Sequence, residues 1–592
     1  MALRRSARNA YAEDQLEEKT RATEYEWDEE PSEDHPAKGL EARRATLSPR
    51  PKRSRYCFDS DTETSEDEEE NVEESPRKRA KRVARDASPV KAEDGDAAKI
   101  FKSIPIEIHQ QIALYLPGDI DLLNYSLICK KTNSAITYSV WRKRFSMFFD
   151  DVDGLTPKEA SEKYAFRKYV RAKWTCFDLD QYGGRVSREV RDSQARNQLD
   201  LLNVFRGLLL ESNASLINGR RNGWANIEGL NLQFIEQMLR TSEVDIIDSI
   251  FNTSFDKENN DSSNIDQIVT ANEKNSLVYV IQLLLTPFSL DPELCNGKVG
   301  HFDISQYQAY ATAKVQPAFL GFYKQAVNVR WLLHIVNFFK FHLKSDGEGL
   351  LAHVYQHLGD GEFPQFWQGR IKGGTQPLAR HWKGAHTYME DDTLMSLREW
   401  DGFNSSVHTD SLDGNESFED MDFFFEKHPG SSYKWPKNFE TLLCSDPFED
   451  PAEQRRAKRA RVSMDGASTP GVKQFWGSCK GSHRGHFFGR VHALTTQQGF
   501  HGFQRLTMMK FYAEQDANGH DIYDPARAWC YEGCVLPGGR IIVGRWWTAL
   551  ADPNATTTVS GPFLWWNTHQ GGDDDIKEGE ALEFMATFED LM

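Results

Sequence analysis

Residues 526–550 read ARAWCYEGCVLPGGRIIVGRWWTAL, two runs rich in aromatic and β-branched residues on either side of a short turn sequence. Pro537, Gly538 and Gly539 supply the backbone conformations that a tight turn requires. The stretch therefore predicts a β-hairpin. Further short runs of strand-like sequence are HFFGRVHALT, FQRLTMMKFY, GPFLWWNTH, EALEFMATF and DMDFFFEK. Many short strands at close spacing predict a β domain over residues 362–592 that is either a barrel or a sandwich.

Upstream of this domain, residues 151–361 show the three- and four-residue apolar spacing that is typical of amphipathic helices. The stretch AVNVRWLLHIVNFFKFHL, residues 326–343, is apolar on most sides. A helix of that kind is predicted to lie at the centre of a core. Its histidines, His334 and His342, are interpreted as packed core or interface residues rather than metal ligands.

The chain of 592 residues is too long for a single hydrophobic core, and its net charge of −18 disfavours a surface that tracks nucleic acid along its whole length. Eight scattered cysteines are typical of a reducing, intracellular compartment rather than of a disulfide-stapled secreted domain. The N-terminus has no apolar signal segment, and the longest apolar stretch, residues 277–288, is too short to cross a bilayer. We expect a soluble protein with no membrane partner.

Residues 1–98 are charged and lack apolar periodicity, so they are predicted to form a disordered tail. Residues at about 403–471 are interpreted as an insert within the β domain, and residues 455–462 within it are basic. The tail contains a basic cluster that is typical of nuclear import signals, Arg77, Lys78, Arg79, Lys81 and Arg82. A solvated charge run is the alternative, but two such clusters favour the nucleus over the cytoplasm.

Between the tail and the helical region, residues 102–145 read KSIPIEIHQQIALYLPGDIDLLNYSLICKKTNSAITYSVWRKRF. Pro105 suits the first turn of a helix, and Ile108, Ile112 and Leu116 follow at four-residue spacing on one face. The helices of so short a module cannot bury all of these apolar residues against one another. The remaining stripe is therefore expected to dock on a partner.

This stretch resembles the F-box family over nearly the whole length of that module. Thr132 departs from the pattern, since the family often has a tryptophan just after the cysteine-lysine pair. The matching positions are Ile104, Pro105, Glu107, Ile108, Ile112, Leu116, Asp121, Leu122, Leu123, Leu127, Cys129, Lys130, Trp141, Arg142 and Phe145.

The resemblance implies a three-helix F-box at residues 101–150 that docks on a Skp-type adaptor and, through it, on the cullin and RING subunits of an SCF-type ubiquitin ligase. The C-terminal region is similar to the β domain of F-box proteins from filamentous fungi, which implies a domain that holds a protein substrate. The residues implied in adaptor binding are Pro105, Ile108, Ile112, Leu116, Leu122, Leu123, Leu127 and Trp141.

The sequence thus predicts an α+β multidomain protein: a disordered tail, an F-box that continues into a helical region, and an antiparallel β-barrel-like domain with disordered inserts. We expect a non-catalytic substrate receptor without a cofactor, since no nucleophile elbow, phosphate loop or metallohydrolase pair occurs in a suitable context. Two alternatives stay open. One is a nuclear regulatory protein whose F-box contact is independent of a ligase, and the other is an enzyme with its active site in the β domain.

Aromatic and basic residues concentrate in the last predicted strands, where they form either a recognition pocket or part of the barrel core. Strand alternation directs one tryptophan of each adjacent pair inward and the other outward. The residues predicted for a substrate pocket are Arg540, Arg545, Trp546, Trp547 and Trp565.

Cys530 and Cys534, together with His483, His486 and His492, suggest a zinc site. Structural zinc sites normally show two closely spaced pairs of ligands, and this spacing supplies only one. Buried thiols are therefore the favoured interpretation, and no metal is expected.

Overall fold

The computed structural model describes residues 101–174, 200–213, 215–221, 224–241, 273–292, 294, 299, 302–321, 324–359, 361–399, 409–412, 418–425, 443, 472–480, 485–515 and 521–568. These residues all belong to one compact unit, Glu93–Met592. The predictions made for residues 1–98 and for the strand EALEFMATF concern residues outside this set. Within it, no helix combines the length and the apolar character needed to span a bilayer.

Four short helices occupy the stretch that resembles an F-box. They are α1 (Ile106–Tyr115), α2 (Asp119–Leu127), α3 (Lys130–Ala135) and α4 (Tyr138–Phe148). The resemblance implied three helices, and the additional one, α3, begins at a reciprocal cap. The backbone N–H of Thr132 donates to Cys129 Sγ over 3.5 Å, and the N–H of Cys129 donates to Thr132 Oγ1 over 3.0 Å. Thr132, the residue that departs from the family pattern, is fully buried and closes this cap.

The described residues of the region predicted to be helical are largely so. Its helices are α5 (Pro157–Trp174), a helical stretch at 200–210, α6 (Leu230–Thr241), α7 (Glu273–Leu284), α8 (Thr286–Leu290), α9 (Phe302–Tyr310), α10 (Val329–Lys344) and α11 (Ala352–Gln356). As predicted, α10 is central and buried on most of its surface. It begins later than its apolar stretch because the Asn328 side chain accepts from the backbone N–H of Trp331 over 3.2 Å.

Two small hairpins interrupt this helical region, where the sequence predicted helices only. Strand β1 (Ser215–Arg221) pairs with β2 (Trp224–Glu228), and β3 (Phe319–Leu320) pairs with β4 (Ala326–Val327). The first hairpin has the dipeptide Asn222-Gly223 between its strands, a strong turn former that the helical interpretation overlooked.

The C-terminal part is a closed antiparallel barrel of eight strands, as the β-barrel-like prediction requires. Each strand pairs with the next in chain order, and the last pairs with the first. The strands are β5 (His381–His386), β6 (Glu419–Phe425), β7 (Lys473–Lys480), β8 (Gly485–Ala493), β9 (Gln504–Gln515), β10 (Asp521–Val535), β11 (Ile541–Thr548) and β12 (Ser560–Asn567).

The predicted hairpin is formed by β10 and β11, with Gly538 and Gly539 at positive φ angles of 92° and 70° in its turn. The predicted insert at about 403–471 needs correction, because β6 lies within it and pairs with both β5 and β7. Barrel closure requires this strand, so the insert is at most two separate segments. Helix α12 (Asp391–Arg398) lies between β5 and β6.

Most of the described side chains on both faces of the barrel are buried. Inward-facing aromatic side chains fill the interior, among them Phe423, Phe487 and Trp565. Many outward-facing side chains, such as Trp566, belong to a large core shared with the helices, and this core extends without interruption to Phe149 at the end of the N-terminal helices. The N-terminal helices and the barrel are therefore joined by one continuous hydrophobic core.

Candidate functional site

The N-terminal helices carry most of the exposed large apolar side chains in the described part of the chain. Of twelve such side chains, nine lie between residues 101 and 150, although this segment is a small fraction of the structure. The nine residues are Ile106, Ile108, Tyr115, Ile120, Leu123, Leu127, Ile128, Tyr138 and Met147. Soluble proteins rarely leave so many apolar side chains together in water unless a partner covers them. We call this set the apolar face.

Part of the apolar face is a stripe along α2. Ile120, Leu123 and Leu127 follow one another at three- and four-residue spacing, and the side chains of Leu123 and Leu127 are 54% and 81% exposed. Ile108 on α1 is 48% exposed, and Pro105 caps the start of that helix on the surface. Four of the predicted adaptor-binding residues therefore lie on the surface.

The other predicted adaptor-binding residues lie deeper. Ile112, Leu116 and Trp141 are half-buried and pack against the small core of the N-terminal helices. Leu122 is fully buried in that core beside Tyr125. Its side chain supports the apolar face from beneath and does not reach the surface.

The apolar face is held in a fixed position by polar contacts to the helical region. Asp119, at the start of α2, accepts hydrogen bonds from Arg144 over 3.1 Å and from the Tyr164 hydroxyl of α5 over 2.6 Å. Asp150 accepts from the backbone N–H groups of Asn213 and Leu230 over 2.9 and 2.8 Å. The second contact places a carboxylate at the N-terminus of α6, where the helix dipole favours it.

The residues predicted for a substrate pocket are mostly interior. Trp546 and Trp565 point into the barrel while Trp547 points outward, so the predicted alternation is confirmed, yet all three are buried. Arg545 is also buried: it donates to the Gln316 carbonyl over 2.7 Å, and its guanidinium lies 4.5 Å from the Trp331 ring centroid. The substrate pocket at these residues stays a prediction: Trp546 and Trp565 lie in the barrel interior, and Arg545 lies beneath α10.

Arg540 is the exception among these five residues, since it is only partly buried. It donates a hydrogen bond to the side-chain oxygen of Asn567 at the end of β12. This hydrogen bond joins the turn between β10 and β11 to β12, so Arg540 has a structural role.

Sequence reasoning missed a buried charged row on the outer face of the barrel. Glu532 accepts two hydrogen bonds from Arg505, over 3.0 and 2.6 Å, and lies 3.5 Å from Lys324. Burial by itself raises the pKa of Glu532, but Lys324 and Arg505 lower it to about 2. The carboxylate is therefore ionised at neutral pH and balances the buried guanidinium. Arg505 and Glu532 belong to no periodic pattern and to no motif, so no local sequence signal could have found them.

The thiols of Cys530 and Cys534 are fully buried, as the favoured interpretation required. Burial raises the pKa of Cys534, and burial together with Arg505 and Arg490 lowers the pKa of His492 to about 3. The described residues include no group of three or more His, Cys, Asp and Glu side chains arranged to hold a metal. His483 and the basic cluster Arg77, Lys78, Arg79, Lys81 and Arg82 lie outside the described residues.

Comparison of this chain with protein-family profiles, with curated proteins and with solved structures found no match.

Proposed function

We propose that this protein is a substrate receptor of an SCF-type cullin-RING ubiquitin ligase. The apolar face binds the Skp-type adaptor, and the barrel, supported by the helical region, presents a target protein. The observation that carries the proposal is the apolar face, which lies on the same helices as the F-box-like sequence and leaves Leu123 and Leu127 in water. Covering such a face with a partner is favourable by roughly 25 cal/mol per Å² of apolar surface.

In this proposal the protein does no bond chemistry. It holds a target lysine near the charged conjugating enzyme, so its contribution is a raised effective concentration. The contacts of Asp119 and Asp150 support that role, because a receptor that positions a substrate benefits from a fixed relation between its adaptor-binding and substrate-binding parts.

The test is co-purification of the full chain with the Skp-type adaptor and cullin. Leu123→Asp combined with Leu127→Asp places two charges on the apolar face without touching the core of the helices. We expect recovery of adaptor and cullin to fall at least tenfold, on the order of the loss when charges enter a docked apolar surface. The control is Leu550→Asp, a leucine in the barrel region whose 65% exposure lies between those of Leu123 and Leu127.

Circular dichroism and thermal unfolding of each variant check that the fold is intact. Wild-type protein that recovers neither adaptor nor cullin contradicts the proposal. So does a double variant that recovers both as well as the Leu550→Asp control does.

A further inference from the structure

Helix α11 and the residue that ends it carry two histidines one helical turn apart. The sequence from His353 to His357 reads HVYQH. Side chains four residues apart lie on the same face of a helix, and both of these side chains are exposed. Their imidazole rings face each other, with centroids 4.5 Å apart and an angle of 34° between the ring planes. We call His353 and His357 the histidine pair.

The hydrogen bonding of the histidine pair leaves ring nitrogens available for a ligand. Nδ1 of His357 lies 2.7 Å from the backbone carbonyl oxygen of His353. A carbonyl oxygen only accepts, so Nδ1 carries the proton and Nε2 of the neutral ring keeps its lone pair. The ring nitrogens of His353 have no hydrogen-bond partner among the residues that the structure describes. Each neutral ring therefore presents a nitrogen lone pair at the surface.

The opposite side of α11 is anchored in the core. Tyr355 is fully buried, and its hydroxyl donates to the Leu290 carbonyl over 2.9 Å. Its ring meets that of Trp566 edge to face, with centroids 6.1 Å apart. Val354 is partly buried and packs against the large core. The backbone that carries the histidine pair is thus held in place, and ligands that are already positioned lose little conformational entropy on binding.

A carboxylate lies beside the same turn of helix. The exposed Asp346 accepts a hydrogen bond from Nε2 of Gln356, the residue directly before His357, over 2.7 Å. No lysine or arginine in the described part of the chain forms an ion pair with Asp346. Its negative charge is therefore not neutralised by the protein, and it attracts cations toward the histidine pair.

Two imidazoles select the class of ion. Imidazole nitrogen suits zinc, copper and nickel, whereas calcium and magnesium prefer oxygen ligands. Zinc–nitrogen bonds of about 2.0–2.1 Å at a tetrahedral angle place the two ligand nitrogens about 3.4 Å apart. Rings with centroids 4.5 Å apart reach that separation by turning about their Cβ–Cγ bonds.

The sequence of the turn limits what a bound ion does. Helical zinc-protease motifs with this histidine spacing have a glutamate directly after the first histidine, where it acts as the general base. Val354 occupies that position here. The pair also supplies two ligands, fewer than the three or four protein ligands of the usual zinc sites. The arrangement therefore favours reversible binding and not hydrolysis.

We infer that the histidine pair binds a late first-row divalent metal ion, with Zn²⁺ as the expected ion. His353 and His357 each supply one ring nitrogen, and the remaining coordination positions are open to water or to a side chain of a bound protein. Neither histidine belongs to the apolar face. The inference is therefore independent of the proposed function, and failure of one leaves the other standing.

The test is isothermal titration calorimetry of Zn²⁺ into the full chain without an affinity tag. The matched control combines His353→Gln with Gln356→His, which keeps the number of histidines and the net charge. Its two histidines are adjacent in sequence and do not face each other on the helix. We expect the wild type to bind one more equivalent of Zn²⁺ than this control does. His353→Asn should weaken that equivalent about tenfold or more, because the second ligand on the same turn binds as an intramolecular group.

A second measurement identifies the ligands. Pulsed electron paramagnetic resonance with one equivalent of Cu²⁺ should detect two imidazole nitrogens on the ion in the wild type and fewer in His353→Asn. All substituted side chains are exposed, and thermal unfolding without metal checks that each variant keeps its fold. Equal Zn²⁺ binding by the wild type and the control, or a Cu²⁺ spectrum that His353→Asn leaves unchanged, overturns the inference.

Discussion

Two pairs of adjacent residues show how the barrel and the N-terminal helices differ. In β12, Trp565 is buried in the barrel interior, and its outward-facing neighbour Trp566 is buried because the helices cover that part of the barrel. In α2, Leu122 is buried but its neighbour Leu123 is more than half exposed. The barrel has a second layer supplied by its own chain, whereas no described part of the chain covers Leu123. This difference is the basis of our proposal that a partner supplies the layer that Leu123 lacks.

The largest effect of a substitution on the free energy of unfolding is expected for a side chain in the interior of the barrel. Trp565→Ala should lower the free energy of unfolding by about 3–5 kcal/mol, because the indole is fully buried and leaves a cavity. Leu127→Ala, on the apolar face, should change it by less than about 0.5 kcal/mol. Chemical denaturation of the two variants in parallel tests the comparison, and similar losses would show that the apolar face is covered within the chain.

A smaller and pH-dependent effect is expected from the charged row between the barrel and its covering layer. The pKa of Glu532 is about 2 in the folded protein and near 4.5 when unperturbed, so folding is favoured by ionisation. The stabilisation is present above about pH 4.5 and is lost as the pH falls toward 2, a difference of about 3 kcal/mol.

The Glu532→Gln variant should therefore be less stable than wild type at pH 7, and the difference in stability between the two proteins should shrink as the pH falls. Unfolding midpoints recorded between pH 7 and pH 3 measure this dependence. The control is Glu390→Gln, at an exposed carboxylate directly before α12. A gap that stays constant with pH would mean that the carboxylate charge is not what stabilises the row.

The smallest effect on stability is expected for the hydrogen bond that joins the apolar face to the helical region. Tyr164→Phe removes the hydroxyl that donates to Asp119 over 2.6 Å and should cost about 1 kcal/mol in the free energy of unfolding. Tyr115→Phe, whose hydroxyl lies on an exposed side chain, should cost nothing measurable. Equal values for the two variants would argue that the Asp119 contact does not contribute to stability.

Local sequence signals were sufficient for the hairpin of β10 and β11. Its turn residues and its alternating aromatic positions lie within 25 or so residues of one another, the range over which strand and turn preferences operate. Strand β5, HWKGAH, was not among the predicted strands. A Cβ on Gly384 would lie 2.2 Å from the carbonyl oxygen of Leu564, so its glycine is required by a neighbouring strand far along the chain.

The candidate sites were only partly predictable for a related reason. Four-residue spacing pointed to Ile108, Ile112 and Leu116 on α1, whereas the stripe that the structure exposes runs along α2. Spacing also could not decide which of the adjacent Leu122 and Leu123 faces inward, because that depends on how the helices pack around the small core that contains Leu122. The ion pair of Lys510 with Glu419 joins residues 91 positions apart. Barrel closure brings them together, and no pattern in either segment reveals it.

The continuous core determines where this chain can be divided into fragments. A fragment that stops at residue 150 would bring Phe145 and Phe149 into water, since both pack against helices beyond that point. A fragment that starts at residue 151 would lose the Asp150 carboxylate from the N-terminus of α6. The N-terminal helices of this protein are therefore not an independent module, and exchanging them between chains would need a boundary drawn inside the core.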